Sequence, residues 1–194
     1  MKLLYTKRSP FARKVRVVAL EKNIALDLID EDLQQKSRRL LDANPLGKVP
    51  TLILDNGTAV FDSSVICQYL DGLHDKALMI PRESLGRMEV LKWEAFADDL
   101  VVCAINLYME KVRHPDDFHK DWTAALEANV RRAFAFIESN LHQLQTFNLA
   151  SVAVASSLGY IHLRLPHLKE QGDAAQWFEI ISKRPSMAQT VPVV

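Results

Sequence analysis

From Leu149 to Leu165 the chain is apolar on nearly every side, and a helix of that kind is stable only when other elements surround it. A membrane is not the expected surrounding. The longest uncharged run, Ser139 to Leu163, is interrupted by His142, Gln143, Gln145, Thr146 and Asn148. That leaves an apolar core far short of the ~20 residues a span needs. The segment reads instead as the centre of a bundle, with Asn148 as N-cap and Phe147 and Val152 as a hydrophobic staple.

The surrounding helices are visible before it. Leu85, Met88, Leu91, Ala95, Val102, Ile105, Met109 and Val112 make one long stripe broken only by Asp98, and His114-Pro115-Asp116 ends that helix. Trp122, Leu126, Val130, Ala133, Ile137, Leu141 and Leu144 mark a second long helix, expected to pack antiparallel to the first. A last helix over about Ala174 to Ser182 precedes Arg184-Pro185-Ser186 and an irregular tail. Residues 84–194 are therefore expected to form an all-α domain.

The first third has a different rhythm. Lys2 to Tyr5 reads as a strand, Ser9 and Pro10 as N-cap and first residue of a helix with a Phe11, Val15, Val18, Ala19 stripe, and Leu26 to Ile29 as a second, parallel strand. Between Asp30 and Asn44 the pattern supports at best one short helix. Thr51 to Leu54 and Ala59 to Phe61 flank Asp55-Asn56-Gly57-Thr58, a hairpin signal. Asp62, Ser63 and Ser64 offer N-caps for a third helix that Gly72 would end. The expected class is α/β plus all-α, with the α/β domain at residues 1–74.

Composition removes several functions. Twenty-four Lys and Arg balance twenty-four Asp and Glu, so no overall field draws the chain to nucleic acid or an anionic membrane. Cys67 and Cys103 are too few and too far apart for a disulfide framework or a CxxC pair, and a cytoplasmic, reducing setting follows. Met1 to Tyr5 is too short for a secretion signal. The six glycines form neither GxGxxG nor a P-loop, the histidines form no HExxH, and no G-x-S-x-G elbow exists, so no metal or nucleotide is expected.

Three features remain. Residues 1–20 hold six basic side chains and no acidic one, with Ser9 capping a helix in their midst. That corner reads either as an anion or thiolate site or as a capped helix with a solvated basic face. In Gly47-Lys48-Val49-Pro50-Thr51 a proline enters a strand, which either frees the Val49 backbone for an extended ligand or makes a simple turn. At Asp62-Ser63, helix amides beside a carboxylate suit an α-amino acid terminus, or merely cap the helix.

These strings, Ser9-Pro10-Phe11-Ala12-Arg13-Lys14-Val15-Arg16, Asn44-Pro45-Leu46-Gly47-Lys48-Val49-Pro50-Thr51-Leu52, Phe61-Asp62-Ser63-Ser64-Val65-Ile66 and Arg184-Pro185-Ser186, resemble the cytosolic glutathione transferases over essentially the whole length. The likeness is to the bacterial serine-type branch that includes the YibF-like proteins. It implies a thioredoxin-like N-terminal domain of order βαβαββα with Pro50 cis, a helical C-terminal domain and a homodimer. It also implies that Ser9 stabilises the thiolate of glutathione, the co-substrate, with Phe11, Lys48, Val49, Pro50, Asp62 and Ser63 binding the tripeptide. Phe11, Tyr108 and Met109 are candidate walls for a small hydrophobic electrophile. The alternatives are a non-catalytic interaction module and a glutathione-dependent reductase or isomerase.

Other residues carry narrower expectations. Where the family commonly has Asp inside the cap of the buried helix, this chain has Ser151, a weaker box and a less stable helix start. Tyr5, Cys67, Trp93, Trp122 and Trp177 read as packing. Asp98 reads either as an interdomain hydrogen bond or as a group at the dimer cleft.

Overall fold

The computed structural model describes residues 1–193. Strand β1 (Lys2–Tyr5) leads into α1 (Pro10–Glu21), β2 (Asp27–Asp30), α2 (Arg38–Ala43), β3 (Thr51–Ile53), β4 (Ala59–Val60) and α3 (Ser63–Gly72). The four strands form one mixed sheet in the order β2-β1-β3-β4. β1 pairs parallel with β2, and β3 pairs antiparallel with both β1 and β4. This is the thioredoxin-like βαβαββα arrangement, and Val49–Pro50 is cis. Phe61–Asp62 is a second cis bond.

The remainder is helical: α4 (Ser84–Arg113), α5 (Lys120–Ser139), a 3-10 turn at Leu141–Leu144, α6 (Leu149–Arg164), α7 (Gly172–Ser182) and α8 (Pro185–Ala188). Every residue of α6 from Leu149 to Ile161 is buried, as its unbroken apolar pattern requires. It packs on α4 and on α1, and α1 in turn lies between α3 and α6. The sheet-bearing part and the bundle thus share one continuous core.

Several expectations are corrected. Half of the stripe read on α4 lies outward: Leu85 is 68% and Val112 52% exposed, and Met88 and Val102 are exposed as well, while Leu91 and Ile105 pack at the edge of the core. The face that packs is Val90, Trp93, Glu94, Ala97, Leu100, Val101, Ala104 and Leu107. The helix is apolar on two sides, and the charge of Glu94 disguises the buried one. Gly72 does not end α3 in the left-handed conformation; it stays inside the helix, and the Leu73 amide closes the last turn on the Leu70 carbonyl. Pro185 starts a short helix, α8, at a position where its missing N–H costs nothing, so the irregular tail begins only after Ala188. β2 begins one residue later than expected, and the second long helix stops at Ser139.

The start of α6 is also firmer than the substitution of Ser151 suggests. Asn148 Oδ1 accepts the Ala150 and Ser151 amides, and Ser151 Oγ accepts the Asn148 amide at 3.0 Å, so the capping box is complete. Tyr5, Cys67, Trp93 and Trp177 are buried, whereas Trp122 is half exposed and packs in no core. No helix is long and apolar enough to cross a membrane among the described residues.

Candidate glutathione site

Strand register brings three separate stretches to one end of the sheet. β1 pairs with β3 through Leu4 and Thr51, so the next residues, Pro50 and Val49, lie beside Tyr5 and Thr6, just ahead of Ser9. β3 pairs with β4 through Leu52 and Val60, which carries Phe61 and Asp62 to the level of Thr51 and Pro50. The beginnings of α1 and α3 and the cis-proline corner therefore share one rim.

Among the described residues, each contributes unpaired groups. Ser9 caps α1 by accepting the Ala12 amide on Oγ at 3.2 Å, which leaves its hydroxyl proton free to donate. Pro10 has no N–H, and the Phe11 amide has no protein partner. The Val49 N–H and C=O are unpaired, since the ladder with β1 starts only at Thr51. The Lys48 carbonyl, by contrast, is held by Asn44 Nδ2 and Thr51 Oγ1. Asp62 caps α3 through Oδ1 to the Ser64 amide at 3.1 Å, leaving its second oxygen without a protein partner. The buried Ser63 has a hydroxyl and an amide without a protein partner. The Lys48 side chain extends into solvent.

Beneath this rim lies a charge cluster. The basic face of α1 is not solvated: Arg13 and Lys14 are buried. Lys14 Nζ donates to Asp98 Oδ1 at 2.9 Å and Oδ2 at 2.7 Å, and lies 2.7 Å from Glu94 Oε1. The Glu94 contact is off the hydrogen-bonding angle, so it is a charge pairing. Burial favours the neutral amine, but the neighbouring Cys67, Asp98 and Glu94 together outweigh it and the Lys14 pKa rises. Asp98 is itself raised, by burial first and by the nearby charges of Glu94 and Asp62, against the pull of Lys14. Of the two readings of Asp98, the interdomain hydrogen bond is the contact formed, from the bundle to α1. Burial pushes the Cys67 thiol well up, so it is an inert core group. Burial also lowers Arg13 to about 10, with Arg16 adding to the effect.

Phe11 is half-buried at the start of α1. Tyr108 and Met109 are half-buried on α4; Tyr108 Oη accepts Arg164 Nη1 at 3.4 Å, while Met109 is not packed on the core. The sequence reading took Lys14 only as one of the basic side chains around Ser9 and passed over Glu94, its buried partner. The signal for the pair was a base and an acid lying at helix positions that otherwise read as core.

Fold and rim together define a thioredoxin-like domain fused to a helical bundle, with a peptide-sized set of free amides at their junction. The family model for the glutathione S-transferase N-terminal domain matches residues 3–78. The uncharacterized GST-like protein YibF of Escherichia coli K12 is 30% identical over 99% of this chain and 98% of its own length. The chain belongs to the glutathione S-transferase family. A glutathione S-transferase from Methylobacillus flagellatus KT, solved with GSH bound, is 36% identical, with a TM-score of 0.93 over 99% of each chain. A glutathione transferase family member from Pseudomonas fluorescens Pf-5, solved with bound S-(propanoic acid)-glutathione, is 35% identical, with a TM-score of 0.90 over 100% of each chain.

Proposed function

We propose that the protein transfers the thiolate of glutathione to small electrophiles, with Ser9 as the residue that stabilises the thiolate. The carrying observation is the Ser9 hydroxyl, whose oxygen is engaged by the Ala12 amide and whose proton is free, beside the unpaired Phe11 amide. The free thiol has a pKa near ~8.5 and is mostly protonated at neutral pH. Lowering it by about two units needs roughly 2.7 kcal/mol of preference for the anion. A hydrogen bond to a charged group supplies about 1.5–3 kcal/mol and a helix N-terminus about 0.3–1 kcal/mol more. Ser9 acts as donor and forms no covalent bond.

In this reading the Val49 backbone pairs with the cysteinyl unit as an added strand would, and cis-Pro50 shapes that corner. Asp62 takes the ammonium of the γ-glutamyl end, Ser63 its carboxylate, and Lys48 the glycine carboxylate. Phe11, Tyr108 and Met109 wall the acceptor side. The glutathione held by the Methylobacillus protein, and the S-substituted glutathione held by the Pseudomonas protein, support a tripeptide site with room beyond sulfur. Residues 1–74 serve as the glutathione-binding domain and 84–194 as its helical cover, in a cytoplasmic setting where glutathione is reduced.

The apolar outer stripe of α4 supports a homodimer. Its neighbour Val65 on α3 is also exposed, one turn from Gln68, which accepts a hydrogen bond from Arg87 of α4.

The test is the ultraviolet absorbance of the bound thiolate followed against pH. Wild type is expected to titrate about two units below free glutathione, and Ser9→Ala to return most of the way. Titration of both like the free tripeptide overturns the mechanism. Glutathione binding without turnover on any electrophile, together with a stoichiometric protein partner, would favour the interaction-module reading.

A further inference from the structure

Three cations of α1 and its C-terminal cap are buried: Arg13 at 3% exposure, Lys14 and Lys22 at 1% each. Two of them are neutralised. Lys14 faces Glu94 and Asp98, and Lys22 lies 3.2 Å from Asp71. Arg13 has no such partner among the described residues. Its Nη2 donates to the Met187 carbonyl of α8 at 3.1 Å, while Nε and Nη1 make no hydrogen bond. Nη1 lies so close to Gly159 of α6 that a side chain there would collide with it, and Phe178 of α7 flanks the same spot. None of these surroundings is charged, and no space is left beside Nη1 for a counter-ion. Arg16, a cation as well, is the charge that acts on it.

Its place on α1 deepens the imbalance. The Arg13 amide donates to the Ser9 carbonyl at 2.9 Å, so the two residues stand one turn apart. Stability alone favours an acid near the start of a helix, where the dipole is positive. The first turn of α1 holds no acid, and the next residue is this bare cation. Burial lowers Arg13 to about 10, which still leaves it charged at neutral pH. Guanidinium and dipole therefore add, and together they make the Ser9 cap positive. A buried charge without a partner is costly, and such violations are kept where function uses them.

We propose that Arg13 is an electrostatic residue of the transferase, its uncompensated charge supplying a fixed field that favours the thiolate of glutathione over the thiol at Ser9. This rests on the transferase reading above. Arg13 does not touch the sulfur and moves no proton. A turn of helix and the helix's own width put the guanidinium about 10 Å from a sulfur at the cap. Across that distance, with an effective dielectric between the ~20 of a protein surface and the ~80 of water, one charge lowers the thiol pKa by about half a unit to one unit. Because its source is buried, the field is little screened by salt.

The test is the ultraviolet titration of bound glutathione in the full-length protein, in wild type, Arg13→Gln and Arg13→Met, each with Ser9 present and in the Ser9→Ala background. Both neutral variants are expected to titrate about half a unit to one unit above their parent, in either background. Unchanged titration in the Arg13 variants overturns this inference alone. So does a shift seen only when Ser9 is present, since Arg13 would then merely seat that hydroxyl. Wild type is also titrated at ~1 M salt, where charges on the surface are screened within about 3 Å. Persistence of the lowered value is expected, and its loss would assign the field to the exposed Lys7 and Arg8 and overturn the inference. Should neither Arg13 variant fold, this salt titration decides. Wild-type titration like that of the free tripeptide overturns the transferase reading and this inference with it.

Discussion

Lys14 on α1 and Glu94 on α4 form a buried ion pair at 2.7 Å, with side chains 1% and 2% exposed. Eighty residues of chain separate them, and Asp98, one turn further along α4, accepts the hydrogen bonds that complete the cluster. Removing two charges from water is costly, and this pair holds only while both partners are present. Lys14→Met strands Glu94 and is expected to destabilise the fold by about 3–5 kcal/mol in chemical denaturation. The double variant Lys14→Met, Glu94→Leu is expected to recover most of that loss. Equal destabilisation of single and double variants would show that the pairing is not the cause.

Glu21 gives the fold an acid-sensitive clasp. Its carboxylate accepts Arg184 Nε at 2.8 Å, Arg184 Nη2 at 2.6 Å and Ser186 Oγ at 2.5 Å, joining the end of α1 to the start of α8. Those contacts, Arg184 foremost, hold its pKa below the ordinary value of 4.5. A depressed carboxyl stabilises the fold in full above the unfolded pKa and loses that contribution as pH falls through the folded one. The melting temperature should therefore drop below about pH 4.5 in wild type, and Glu21→Gln should flatten that limb. At neutral pH the substitution is expected to cost about 1 kcal/mol, the scale of a partly exposed ion pair.

Gly159 on α6 faces the buried guanidinium of Arg13. A methyl group there would collide with Arg13 Nη1. Arg13 has little room to withdraw, because Nη2 is tied to the Met187 carbonyl at 3.1 Å in a buried site. Alanine gains about 1 kcal/mol over glycine in a helix interior, whereas overpacking a core costs about 1–3 kcal/mol. Gly159→Ala is expected to be a net loss in denaturant titration, opposite to the gain at an open helical position such as Gly72.

The outer stripe of α4 predicts association. Met88→Glu, placed on that exposed face, is expected to halve the mass seen by light scattering and leave the circular dichroism unchanged. A wild-type protein that already runs as a monomer at micromolar concentration removes the homodimer from the proposed function.

What the sequence announced, it announced locally. Ser9 before Pro10, Asn56-Gly57 between two short strands, Asp62 ahead of α3 and the uninterrupted apolar α6 are short-range signals, and each stands in the fold where its chemistry demands. The rim that holds Val49 and Ser63 was readable for the same reason. The inner face of α4 was not, because Glu94 belongs to the core only through Lys14, a partner that no helical period can reveal.

The hydrogen bond from Arg13 to Met187 spans nearly the entire chain. Lys14 can pair as soon as α4 exists, but Arg13 finds its acceptor only when residue 187 is in place. Removing α8 would leave the Arg13 guanidinium buried without that acceptor, so truncation before Pro185 is expected to loosen α1, at the other extreme of the chain.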